Sequence, residues 1–151
     1  MGEITLEGFR NAFKKVYELY KNFITIENIL IEEQDNSKLD EIGLIPRDEK
    51  VIGCHFSLPN RQVGIYCYKY KNGLEKIFAN ATNFIDEERT IFEETLSKAG
   101  LTDLPLLNPP NLETIEVFLK KYFESEIKIK GYYKELNELE NKKRELLGKY
   151  L

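Results

Sequence analysis

Val51–Tyr70, VIGCHFSLPNRQVGIYCYKY, contains the only histidine, both cysteines and three of the nine tyrosines of the chain. PNRQ supplies turn residues between two runs of strand-forming residues, which marks a β-hairpin. With Asn60 and Arg61 at the tip, Leu58 faces Val63, Phe56 faces Ile65, Cys54 faces Cys67 and Ile52 faces Lys69. Side chains alternate along a strand, so these pairs share one mostly apolar face. The other face receives Val51 with Tyr70, Gly53 with Tyr68, His55 with Tyr66, and Ser57 with Gly64.

A second turn follows at KNGL, where Asn72-Gly73 is a strong two-residue hairpin signal because both residues tolerate positive φ. The next strand, LEKIFA, then sets Ile77 beside Tyr68, Ala79 beside Tyr66 and Phe78 beside Cys67. Upstream, FITIENILIEE is rich in β-branched residues and offers a fourth strand of an antiparallel meander. The polar run after it and GLIPRDEK form a long connection with room for one helical turn.

Helices flank this sheet. In TLEGFRNAFKKVYELYKNF the residues Leu6, Phe9, Phe13, Val16, Tyr20 and Phe23 recur at alternating spacings of three and four, one apolar stripe that Thr5 can cap. NFIDEERTIFEETLSKAG has the same period, with Asp86 as a cap and Gly100 as a stop. LTDLPLLNPPN is a proline-punctuated connection ending at Asn111, another cap. Beyond it Ile115, Phe118, Tyr122, Ser125, Ile129, Tyr132, Leu136, Leu139, Lys143, Leu146 and Tyr150 keep heptad spacing. Gly131 interrupts the run and costs about 1 kcal/mol in a helix interior, so a kink or break is expected near IKGYY.

The expected class is α+β: a small antiparallel meander of three or four strands flanked by helices, with a long C-terminal helix or helical hairpin of coiled-coil character. Residues 1–110 form the globular unit in this reading, and 111–151 a heptad segment that packs on it or on a partner. Leu136, Leu139, Lys143, Leu146 and Tyr150 are the candidate oligomerisation residues, and a homodimer is one expectation.

The 151 residues, 42% hydrophobic and 32% charged, suit one folded domain rather than a disordered chain. No stretch has the roughly 18 uncharged apolar residues of a membrane span, and MGEITLEGF lacks a basic start and an apolar signal core. The reading is a cytoplasmic protein without membrane contact. A net charge of −4 argues against general nucleic-acid affinity, which rests on Lys and Arg displacing counterions.

Cys54 and His55 are strand neighbours and point to opposite faces, so they cannot form a thiolate–imidazole pair. One histidine and two cysteines exclude zinc sites built on several imidazoles or on four thiolates. There is no glycine-rich phosphate loop, G-x-S-x-G or H-E-x-x-H. The element order of helix, strand, hairpin and helix resembles that of restriction-type nuclease cores, but Val63–Tyr70 carries no acid, and the resemblance is rejected. No catalytic residue, metal or cofactor is therefore assigned.

What remains is the face with His55, Tyr66, Tyr68 and Tyr70, with Arg61 and Lys69 taken as its neighbours. Tyrosine joins a large apolar ring to a polar tip, which suits protein recognition or base stacking, while a buried second layer would also use it. The expected function is a non-enzymatic protein-interaction module, an adaptor or inhibitor that occupies a partner's surface. Frequent Lys, Ile, Asn and Glu match AT-rich microbes and their phages, so an inhibitor encoded by a mobile element belongs to that expectation. The alternative is a small-ligand or nucleotide sensor using the Tyr/His face.

Overall fold

The computed structural model describes residues 4–35, 48–70 and 72–151. Its elements are α1 (Leu6–Tyr20), β1 (Asn28–Asp35), β2 (Asp48–Leu58), β3 (Arg61–Tyr70), β4 (Glu75–Thr82), α2 (Asp86–Ser97), β5 (Leu106–Leu107) and α3 (Leu112–Gly148). The class is α+β, and the sheet is an antiparallel meander in the order β1-β2-β3-β4-β5. It has five strands where three or four were expected. The fifth is a two-residue pairing of Leu106 with Phe78 and Leu107 with Ile77, inside what reads in sequence as a proline-rich connection. The expected helical turn between β1 and β2 lies outside the described residues.

The hairpin is real, but its register differs from the expected one. Leu58 faces Arg61, Phe56 faces Val63, Cys54 faces Ile65 and Ile52 faces Cys67. Pro59 and Asn60 form the turn. Proline presets the φ of a turn's second residue, which moves the tip back by one position. The shift carries each residue to a partner two positions away, so both faces keep their expected members. Cys54 and Cys67 are not opposite each other, and both are buried thiols outside any disulfide.

The second hairpin differs by a single residue, which reverses the faces of the following strand. Tyr66 faces Phe78, Cys67 faces Ile77 and Tyr68 faces Lys76. The Tyr70 N–H donates to Leu74 O (2.9 Å) and the Gly73 N–H to Tyr70 O (3.0 Å), so the loop holds three residues with Gly73 at φ +88°. This is the three-residue hairpin that ends in a left-handed glycine, rather than a two-residue turn. Ile77 and Ala79 therefore join the core, and Phe78 joins the tyrosines.

All three helices pack on one side of the sheet. Ile52, Cys54, Phe56, Val63, Ile65, Cys67, Ile77, Ala79 and Leu107 form the inner face, against Phe9, Phe13 and Val16 of α1 and Phe118, Leu119, Tyr122 and Phe123 of α3. Phe56 is central, with ring centroids 5.3 Å from Phe13 and 5.8 Å from both Tyr122 and Phe123. α1 is capped by Thr5, whose hydroxyl accepts from Gly8 N at 3.0 Å. It ends at Tyr20, so Phe23 leaves the expected stripe and stands 61% exposed. The cap of α2 is also different. Asp86 is its first helical residue, and the Glu88 carboxylate instead takes the Ile85 N–H at 3.0 Å. Gly100 at φ +84° closes that helix as expected, and Asn111 caps α3 by accepting from Thr114 N at 2.9 Å.

α3 runs for 37 residues without a break at Gly131. A cost of about 1 kcal/mol does not interrupt a helix already propagated through more than four packed turns. Ser125, polar at a seam position, is buried with its hydroxyl on Tyr122 O at 2.6 Å. Ile129 is the last buried residue. Beyond it the helix leaves the body, with Leu139 61%, Leu146 56% and Tyr150 81% exposed. No described helix is long and apolar enough to cross a membrane.

Candidate functional site

The outer face of the sheet is open. Among its described residues Gly64 alone is buried; Val51, Tyr66, Tyr68, Tyr70, Phe78 and Leu106 are half-buried, and Leu30 and His55 are exposed. The rings form a chain across three strands. Tyr66 lies edge-on to His55 with centroids 5.0 Å apart, Tyr66 and Tyr68 are 6.4 Å apart, and Tyr68 meets Phe78 at 5.5 Å. Such pairs add about 0.5–1.5 kcal/mol each beyond their area, which favours one arrangement of the array. Tyr70 extends it, with the Lys76 ammonium 5.9 Å from its ring centre.

Two glycines make the array possible. Tyr66 leans along the sheet over Gly64, where an added Cβ would stand 2.9 Å from the phenol oxygen and from the ring. Gly53 lies under the other side of the ring, with its absent Cβ 3.5 Å away. The phenol therefore reaches the strand opposite Gly64 and bonds His55 Nε2, with Nδ1 at 3.3 Å. Burial and the neighbouring Tyr68 raise the Tyr66 pKa, so the phenol stays protonated through the neutral range.

Gly64→Ala is expected to push Tyr66 off His55. Ring-to-ring NOEs between the two would vanish. Because the displaced atoms are the end of a side chain, stability should change by no more than about 1 kcal/mol.

His55, Tyr66, Tyr68 and Tyr70 share this face, but Arg61 and Lys69 do not. Both lie at inner-face positions of β3, and Lys69 Nζ stands 3.9 Å from Glu75. Arg61, expected at an exposed tip, is 4% exposed. As the residue that closes the two-residue turn, it points toward α3. Its Nε donates to Glu126 at 2.9 Å, one terminal nitrogen bonds Glu126 at 3.2 Å and pairs with Glu88 at 3.4 Å, and the other meets Asn83 O at 2.5 Å. Its guanidinium also stacks 4.1 Å over Phe84. Tyr122 donates its hydroxyl to Glu126 at 2.5 Å. Burial works against the guanidinium's charge, but bonds to Glu126 and Glu88 outweigh it and raise the Arg61 pKa. Burial likewise opposes the Glu88 charge, yet the Ile85 N–H, Arg61 and Tyr133 hold its carboxyl below the usual range. A cavity of about 290 Å³ beside this cluster is lined by Leu58, Pro59, Ile129, Lys130 and Tyr133. Every Arg61 nitrogen is engaged, so the cluster ties the hairpin tip to α2 and α3.

Charge on the outer face is sparse. Glu32 and Lys76 contribute, and Asp48 pairs with Tyr70 at the end of β2, on a surface otherwise of aromatic, aliphatic, amide and hydroxyl groups. His55 has Tyr66 as its hydrogen-bond partner, and no described group of three His, Cys, Asp or Glu side chains is placed to hold a metal. The arrangement is chemically a preorganised aromatic platform. Compared with known protein families, curated proteins and solved structures, the chain matches none.

The sequence reading missed Phe78, Leu30 and the role of the two glycines. A signal for the glycines existed: Gly53 and Gly64 sit mid-strand, where a glycine marks the close approach of another group.

Proposed function

We propose that this chain is a non-enzymatic interaction module, an adaptor or inhibitor, that occupies the surface of a partner protein with the aromatic face of its sheet. One observation supports the reading above others: His55, Tyr66, Tyr68 and Phe78 are packed against one another on a face that no described helix covers. Rigid aromatics lose little entropy on binding and dominate interface energetics. The near absence of cations on this face favours a protein over a nucleic acid, whose phosphates need Lys and Arg.

The test compares wild type with Tyr66→Ser/Tyr68→Ser as bait in extracts of the native host. Both side chains are partly solvated, so the variant should fold. A partner retained by wild type and lost at least tenfold by the variant supports the reading; equal capture by both refutes it.

A second reading, a small-ligand or nucleotide sensor, draws on a depression of about 410 Å³ lined by Leu30, His55, Ser57 and Gln62 at one margin of the array. Ligand-induced thermal stabilisation in a metabolite panel, abolished by His55→Ala, is its expected signature.

A further inference from the structure

The distal half of α3 is polarised along its length. Between Tyr132 and Glu140, Lys134 stands against Glu135, Glu138 and Glu140; between Lys142 and Tyr150, Lys142, Lys143, Arg144 and Lys149 stand against Glu145. The half nearer the body is therefore acidic, the half farther from it basic, and Asn141 divides them. The same segment exposes Tyr132, Leu139, Leu146, Leu147 and Tyr150, and from Lys130 onward no side chain is buried. An isolated helix of about this length is marginal in water and gains most of its stability by packing an apolar face.

We infer that a second copy of this chain covers that stripe, with its α3 running antiparallel and crossing at Asn141. In this register Leu136 meets the partner's Leu146, Leu139 meets the partner's Lys143, and Tyr132 meets the partner's Tyr150 beside the last turn of the helix. Each acidic half then lies on a basic half, with Glu135 facing the partner's Lys149, and like charges meet only at the crossing, where Glu140 and Lys142 each approach their own copies. A parallel pair would set acid on acid and base on base, and would bring Glu135 against the partner's Glu140 across the seam. The segment from Tyr132 to Tyr150 is about 27 Å long at 1.5 Å per residue, so the partner helix reaches no further than Tyr132, next to Tyr133, whose bond to Glu88 of α2 is a contact of this segment with the body. The two aromatic sheets remain at opposite ends of the dimer. The inference is independent of what those sheets bind.

Sedimentation of the full chain up to roughly 0.5 mM should show twice the monomer mass, with the dimer weakening as salt rises because the paired halves attract. Orientation is read by cysteine trapping. An oxidised mixture of Leu139→Cys and Lys143→Cys chains should give a disulfide-linked heterodimer, while Lys143→Cys alone should give little. Glu135→Lys should weaken the dimer about threefold to tenfold, and adding Lys149→Glu should restore it. All four positions lie outside the core, so the folded body is preserved. A monomer at the highest concentration, a larger oligomer, self-trapping of Lys143→Cys, or tightening by Glu135→Lys would each overturn the inference.

Discussion

Replacing Arg61 with methionine is expected to lower the unfolding free energy by about 3–5 kcal/mol, the range for removing one partner of a buried ion pair. The substitution keeps the length and stem of the side chain but strands two carboxylates. Glu126 is 6% exposed and would keep only the Tyr122 hydroxyl, while Glu88 would lose the charge that offsets its burial. The Asn83 carbonyl would also lose its donor. Urea titrations at neutral pH measure the loss directly, and in a chain of this size the melting temperature should fall by about 10 °C or more. Arg61→Met combined with Glu126→Gln should recover more than half of it. Glutamine removes one stranded charge and still accepts from Tyr122, and an uncharged replacement of a buried pair is often near neutral. A single-variant loss below about 1 kcal/mol would mean that water reaches the cluster. The same network sets an acid limit. The Glu88 pKa is lowered on folding, so its contribution is present above the ordinary carboxylate range and disappears as pH falls through the lowered value.

Arg61 also illustrates what the sequence could and could not disclose. A charged residue next to Pro and Asn reads as solvent-exposed, because burying an arginine requires carboxylates that are remote in the chain. Glu126 lies 65 positions away on α3, and local spacing carries no trace of it. Face membership in β2 and β3 was legible, because the turn error moved partners by two positions and left the alternation intact. In β4 it was not. EKIFANAT has apolar residues at both parities, so loop length alone decides whether Ile77 or Phe78 faces the tyrosines. One residue more in the loop than Asn72-Gly73 implies reversed that choice. A two-residue β5 is too short to have a pattern, and its place is set by Pro105 O accepting from Ala79 N at 2.8 Å. The aromatic platform was thus half visible: His55 and the tyrosines came from alternation, whereas Phe78 and the glycine clearance depended on register and ring direction. That α3 would run through Gly131 was hidden because propensity is local and helix propagation is cooperative.

Alkaline pH should destabilise this protein through Cys54. The thiol is 0% exposed on the inner face opposite Ile65, and burial pushes its pKa from 9.0 up to about 12. In the unfolded chain it ionises from about pH 9; in the folded chain it does not. Across that window the unfolded state binds fewer protons than the native state, so stability must fall as pH rises. The slope is about 1.4 kcal/mol per pH unit, a loss of roughly 4 kcal/mol by pH 12 for this one group. Tyr122, whose pKa burial and Glu126 also raise, steepens the decline above the ordinary phenol range. Urea titrations at pH 8 and pH 10.5 separate the contributions. Wild type should lose about 2 kcal/mol more over that interval than Cys54→Ala, which starts lower because of its small cavity but has no thiol to titrate. Equal losses in both proteins would show that Cys54 ionises as readily folded as unfolded, and that the inner face of the sheet is not sealed from water.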